Sequence, residues 1–357
     1  MINVTKTYLP NKEKYLKYVD EIYENGWITN NGPLVQKLEK ELAKYLGVKN
    51  IVLVANGTVA LEIAYRTLEL KGFAITTPFS FVATTSSLVT NQLLPIFTDI
   101  NPKSLNIDPI KIEEQITKNT SAIVATHVFG NPCNVEDIEI IAKKHKLKIV
   151  YDAAHAFDVR YKDTSILNYG DISTLSFHAT KLFHTIEGGA LIINDDELVE
   201  KARYLINFGI KNQEEIPHLG TNAKMNEFEA AMGLCILEDI EKIKNRRKEV
   251  YKKYQNEFKD LVQFQEQNKN SIQNYSYFPI IFDSQEQLSK VQKALNKKDI
   301  FPRRYFYPSL DTLDYIEPKQ ECKISRDISK RVLCLPIFYE LEEKIQNTII
   351  EIIKDNL

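Results

Sequence analysis

From about residue 34 to Gly209, short apolar runs of strand length alternate with stretches of helical spacing. The strand candidates are Ile51–Ala55, Ala74–Thr76, Leu94–Phe97, Ala122–Ala125 and Lys148–Tyr151. Helical patterns cover 33–46, 57–70 and 135–145, and Pro33 suits the first position of its helix. Strands separated by helices require right-handed crossovers and a largely parallel sheet. The fold class expected is therefore α/β. After Gly209 the alternation stops. Residues 225–247 read as one or two long helices, 275–282 as a strand, 286–297 as a helix and 341–354 as a terminal helix. The change places a large domain at 1–235 and a smaller α+β domain at 236–357, and a chain of 357 residues is long enough for both.

Composition removes several functions. Lys and Arg total 46 against 48 Asp and Glu, a net charge of −2. That balance argues against a general nucleic-acid binder, which neutralises phosphates with a basic surface. No apolar run reaches the ~20 residues of a membrane helix, and the first residues lack the apolar stretch of a signal peptide. The four cysteines show no CxxC spacing, so neither a metal site nor a disulfide framework is expected. A cytoplasmic protein follows as the expectation. Glycine is scarce, 12 residues in all, about half the roughly 7% that is usual. Each glycine is therefore a position to inspect for close approach.

In an open α/β sheet, ligands sit outside the carboxyl ends of the strands. Three segments occupy such places. Ala55-Asn56-Gly57-Thr58 joins a strand to a helix. Free N–H groups at a helix start suit an anion, although Gly and Thr also serve as ordinary caps. The chain has neither GxGxxG nor GxxxxGK[ST], the fingerprints of dinucleotide and P-loop sites. Asp152, in YDAAHA, ends a strand and is followed by small residues that leave room for a flat group. It suits a helix N-cap equally well. Lys181, in SFHATK, lies just beyond a strand and ahead of Glu187-Gly188-Gly189. A desolvated lysine is a nucleophile fit for Schiff-base chemistry, whereas a surface lysine before a turn has the same local pattern. A phosphate cradle, an aspartate and an amine together are what pyridoxal 5′-phosphate needs. The aspartate keeps the pyridinium nitrogen protonated, so the ring can accept electrons.

The segments GPLVQKLEKELAKYLGV, ANGTVAL, TTPFSFVAT, PIFTDINPKSLNID, THVFGNPCNVEDI, YDAAHAF, GDISTLSFHATKLFHTIEGGAL and NAKMNEFEAAMGL run in order through nearly the whole chain. In them the chain resembles the DegT/StrS-type nucleotide-sugar aminotransferases. It is most similar to those acting on dTDP-linked keto-6-deoxyhexoses, the viosamine-synthase type in particular. The resemblance implies the fold-type I aminotransferase architecture, a mostly parallel seven-stranded sheet between helices with a smaller C-terminal α+β domain. It implies that Lys181 carries the cofactor and moves the proton, and that Asp152 binds the pyridine nitrogen. Gly57, Thr58 and Ser176 would hold the phosphate. Phe81 and Ala154 would cover the two faces of the ring, and Asn222 would reach the phosphate of a partner subunit. A homodimer with shared active sites follows. His155 stands where the family often has glutamine and would meet the cofactor hydroxyl or fill the slot. Ile186 stands where glycine is frequent. Trp27, His178, Arg303 and Tyr305 are the candidate substrate contacts, with the arginine fork suited to a diphosphate. His127 either faces the cofactor or fills the core.

The implied reaction passes the amino group of L-glutamate through the pyridoxamine form to a ketone on the sugar, releasing 2-oxoglutarate. C4 of the dTDP-4-keto sugar is the leading acceptor and C3 of the isomeric 3-keto sugar the second. The amino sugar would serve surface polysaccharide such as lipopolysaccharide O-antigen. A sugar 3-dehydratase would have histidine at position 181, and a non-catalytic cofactor-binding regulator would not need Lys181.

Overall fold

The computed structural model describes residues 1–357. Its centre is a seven-stranded sheet. Numbered in chain order, the strands are β1 (Ile51–Val54), β2 (Phe73–Thr76), β3 (Leu94–Phe97), β4 (Thr120–Thr126), β5 (Lys148–Asp152), β6 (Ile172–Ser176) and β7 (Gly189–Ile193). They lie in the order β1-β7-β6-β5-β4-β2-β3. From β6 across to β3 every neighbouring pair is parallel, while β7 runs antiparallel to both β6 and β1. Helices 57–67, 82–90 and 135–145 return the chain between parallel strands, while residues 177–188 carry it from β6 back along β7 without a helix.

The strands are apolar because both faces are covered. Ile51 and Leu53 of β1 enter one core cluster and Val52 and Val54 the other, as period-2 alternation requires. The first cluster packs helix Pro33–Leu46 through Leu38 and Leu42; the second packs helix Gly57–Thr67 through Ile63, Ala64 and Tyr65. The α/β architecture expected from the alternation is the one present.

The long helical pattern after residue 225 is one helix, Glu227–Phe258, opened by a capping box between Asn226 and Glu229. It passes residue 235 without a break. Ala230, Ile236 and Ile243 belong to the first core cluster. Val250, Tyr254 and Phe258 belong to a cluster with Phe278, Leu333 and Ile349. The strand expected over 275–282 shrinks to Pro279–Ile281, paired antiparallel with Val332–Cys334. The buried guanidinium of Arg247 takes the carbonyls of Tyr275 and Ser276, at 3.2 and 2.5 Å, so those carbonyls serve an arginine in place of a second strand. At the other end of the chain, Ile2–Asn3 pairs in parallel with Ile300–Phe301. No helix is long and apolar enough to cross a membrane.

Candidate active site

The carboxyl ends of β1, β5 and β6 open onto a cleft of about 640 Å³. The turn after β1 supplies one side. Asn56 caps helix Gly57–Thr67, its side chain accepting from the Val59 N–H at 2.9 Å. Gly57 and Thr58 present the helix start to the cleft. The approach is close. A Cβ on Gly57 would stand 2.7 Å from the Ser176 Cβ, and one on Gly189 would stand 2.6 Å from the Asn56 carbonyl oxygen. β7 can lie between β1 and β6 at this end because Gly57 and Gly189 carry no side chain. The Ser176 side chain is thereby set against the helix start.

Asp152 ends β5 and is 6% exposed. One carboxylate oxygen accepts from the Thr84 hydroxyl at 2.6 Å and the other from the Ala154 N–H at 3.1 Å. Ser80 continues the chain of hydroxyls to Thr84 at 2.6 Å and to Thr126 at 3.1 Å. Donors on both oxygens fix the plane of the carboxylate.

Lys181 follows β6, and its Nζ donates to the Tyr277 hydroxyl at 3.1 Å. Burial lowers the pKa of the amine, and Arg303 pushes the same way, against Tyr305 and Asp152. His155 packs parallel to Phe129 and Phe306, with interplanar angles of 6° and 8°. Its Nδ1 accepts from the Phe129 N–H at 3.2 Å, so the ring proton is assigned to Nε2. Burial, then the charge of Lys181, holds this imidazole well below its ordinary pKa, and it is neutral. His178 lies at the cleft with Nδ1 2.8 Å from the Thr180 hydroxyl and Nε2 3.5 Å from Glu187. Phe81, 49% exposed, and Ala154 also line the cleft.

Arg303 and Tyr305 form the facing wall with Phe301, Phe306 and the N-terminal Asn3–Thr5. Trp27, 51% exposed, does not line this cleft in the chain; its ring packs over Gly32. Nor does Asn222, whose side-chain oxygen accepts from Lys224 at 2.8 Å. Lys224 lines a second hollow with Asn30 and Asn31. His127 is a core residue. It stacks on Tyr151 at 4.6 Å, and its Nδ1 accepts from the Cys133 N–H at 3.0 Å. Burial drives its pKa down to about 3.

Of the residues singled out in the sequence, Gly57, Thr58, Phe81, Asp152, Ala154, His155, Ser176, His178, Lys181, Arg303 and Tyr305 line one cleft. Tyr277, Asn3 and Thr5, which also line it, and Thr84, which holds Asp152, were not among them. Thr84 lay inside the quoted segment FSFVAT, where a hydroxyl one helical turn after Ser80 was the available signal. Tyr277 and the N-terminal residues arrive through long-range packing and carry no local signal.

The DegT/DnrJ/EryC1/StrS aminotransferase family model matches residues 10–354. A Shigella dysenteriae protein named dTDP-4-amino-4,6-dideoxy-D-glucose transaminase is 45% identical, over 99% of this chain and 98% of its own length. An Escherichia coli protein of the same name is 39% identical over 96% and 95% of the two chains. The crystal structure of DesI, solved in the presence of its TDP-sugar product, superposes with a TM-score of 0.94 at 29% identity, covering 99% of this chain and 92% of DesI. The chain belongs to the DegT/DnrJ/EryC1/StrS aminotransferase family and is a pyridoxal-phosphate-dependent aminotransferase.

Proposed function

We propose that the protein transfers the amino group of L-glutamate to C4 of dTDP-4-keto-6-deoxyglucose, giving dTDP-4-amino-4,6-dideoxyglucose. The observation that carries this reading is that two relatives of that name match almost end to end, at 45% and 39% identity. Both names place the amino group at C4, which favours that position over C3.

The residues present fit the cofactor. An amine that burial disposes to lose its proton faces a carboxylate with a donor on each oxygen, beside a helix start that glycine leaves open. Bound there, pyridoxal phosphate supplies an electron sink for the carbon that loses its proton. Lys181 would bind it, and its Nζ, when released, is the base placed to take and return that proton. Burial lowers the pKa of the amine, which favours the free base this role needs. The Tyr277 hydroxyl accepts from Nζ and aims the amine. Asp152 would pair with the pyridinium nitrogen, with Thr84 and the Ala154 N–H fixing the carboxylate. The Gly57 and Thr58 N–H groups and the Ser176 hydroxyl would hold the phosphate. Phe81 and Ala154 would flank the ring, and His155 would donate from Nε2 to its hydroxyl. His178, Tyr305 and Arg303 face the substrates.

Asn222 lies away from this cleft and is assigned to the cleft of a second copy, and Trp27, which also lies away from it, is given the same place. The working form proposed is therefore a homodimer with shared sites. We place the boundary between a large and a small domain at residue 235, within the long helix, and assign the enzyme to cytoplasmic synthesis of surface polysaccharide precursors. The test is spectroscopic. The coloured, cofactor-loaded protein should bleach on addition of L-glutamate and regain its colour on addition of the 4-keto sugar nucleotide. A band that glutamate leaves untouched contradicts the proposal.

A further inference from the structure

Eight of the nine arginines have a guanidinium partner. Arg66 and Arg160 take neutral oxygens. Arg203, Arg246, Arg326 and Arg331 take carboxylates, and Arg247 and Arg304 take backbone carbonyls. The ninth, Arg303, donates to nothing in the chain, and it is the arginine that lines the cleft.

Its placement is fixed. The Arg303 backbone exchanges two hydrogen bonds with Cys334, at 3.1 and 2.8 Å, so the residue is clamped to strand Val332–Cys334. The guanidinium carbon lies 4.5 Å from the centre of the Tyr305 ring. That ring meets Tyr277 edge-on at 5.7 Å, and Tyr277 accepts from Lys181. The neighbouring Arg304 diverges: it lies over Tyr307 and donates to the Lys330 carbonyl.

A guanidinium presents a planar fork that matches a carboxylate or phosphate with two parallel hydrogen bonds. Stacking on tyrosine leaves that fork free. Among the cleft's charged side chains, Lys181 is committed to the reaction and Asp152 and Glu187 repel anions. Resting on the function proposed above, we infer that Arg303 holds a carboxylate of the amino donor and of the 2-oxo acid it becomes. The alternative ligand is the nucleotide diphosphate. Position favours the acid. Arg303 lies over Tyr305, the Tyr305 ring meets Tyr277, and Tyr277 accepts from Lys181. A five-carbon acid must keep its anchor near the reacting carbon, whereas the nucleotide extends away from it. Neutralising a guanidinium that otherwise has no partner also favours a donor that carries a carboxylate over a simple amine.

The experiment compares Arg303→Gln, Arg303→Lys and Arg304→Gln with the cofactor-loaded wild type. Calorimetry measures binding of glutarate, a five-carbon dicarboxylate that cannot react. The cofactor band follows the half-reaction with L-glutamate, and the reverse half-reaction is run with the 4-keto sugar nucleotide. Melting temperature and the visible band report folding and cofactor loading. The account expects Arg303→Gln to weaken glutarate and raise the half-saturating L-glutamate concentration by roughly ten- to a hundredfold, the scale of a charge-assisted pair. Arg303→Lys should recover part of that loss, Arg304→Gln should show none, and the keto-sugar half-reaction should suffer less. Unchanged glutarate and glutamate values in Arg303→Gln overturn the inference, and a loss confined to the keto sugar assigns Arg303 to the diphosphate. A wild type that binds glutarate through Arg303 but never bleaches with glutamate defeats the proposed reaction and leaves the carboxylate site standing.

Discussion

The floor and the wall of the cleft are built on different principles. At the floor, Asp152, Ser176 and the Gly57 turn stand at the ends of three strands of one sheet, and the Asp152 carboxylate oxygens already have protein partners. Nothing there can shift without moving β1, β5 or β6. The wall draws on residues 3–5 and 301–306, which meet through a two-residue parallel pairing. It offers aromatic faces and an arginine with no partner. A floor of this kind suits one cofactor that stays bound while the substrates come and go. A wall with unspent hydrogen-bonding capacity suits two substrates that must alternate in the same space.

The largest expected effect breaks the floor. Lys181→Ala should lower turnover by at least ~10³-fold, since it removes both the nucleophile and the proton carrier. Asp152→Asn should lower it by roughly 10²-fold by withdrawing charge from the ring nitrogen. Both are read as kcat, with cofactor content measured alongside. The Arg303→Gln effect belongs to the wall and should appear in the glutamate half-saturation with far less change in kcat. If Asp152→Asn raised KM alone, or Arg303→Gln lowered kcat as much as Asp152→Asn, the division between floor and wall would fail.

Below these comes an acid effect behind the floor. Buried His127 has a pKa depressed to about 3, against roughly 6.5 when unfolded. The folded state therefore binds fewer protons than the unfolded one between those values. Stability from this group is intact above about pH 6.5 and falls as pH drops, by roughly 1.4 kcal/mol per pH unit. Urea midpoints measured across that range should flatten in His127→Phe. Identical pH slopes for the two proteins would contradict the core placement.

The smallest effect lies at the rim. Ile186 is a β-branched residue held at φ 73°, a left-handed conformation costing about 1–2 kcal/mol outside glycine. Ile186→Gly should stabilise by up to about 1 kcal/mol, seen as a rise in melting temperature. A fall would mean that packing of the Ile186 side chain outweighs the backbone strain.

The sequence carried most of the floor and little of the wall. Alternating apolar runs announced the sheet, and the strand ends marked Gly57, Asp152 and Lys181 as candidates that local pattern alone left open beside a cap or a surface turn. The strand limits moved little: 122–125 became Thr120–Thr126, and 148–151 became Lys148–Asp152. Tyr277 could not be read this way, because its place depends on Arg247 drawing in the two preceding carbonyls from a distant helix. Asn3 and Thr5 depend on a pairing with Ile300–Phe301 that joins the two ends of the chain. Arg303 was visible as one of two adjacent arginines, yet only the structure separates them, one over Tyr305 and one over Tyr307.

The central claim is transfer of nitrogen from glutamate to C4 of the sugar. The direct measurement uses ¹⁵N-labelled L-glutamate with dTDP-4-keto-6-deoxyglucose and, separately, its 3-keto isomer, followed by NMR of the products. The account predicts ¹⁵N bonded to C4 of a 4-amino-4,6-dideoxyglucose nucleotide from the first sugar. Label at C3 of the second sugar with none at C4 of the first, or no transfer to either, would contradict it.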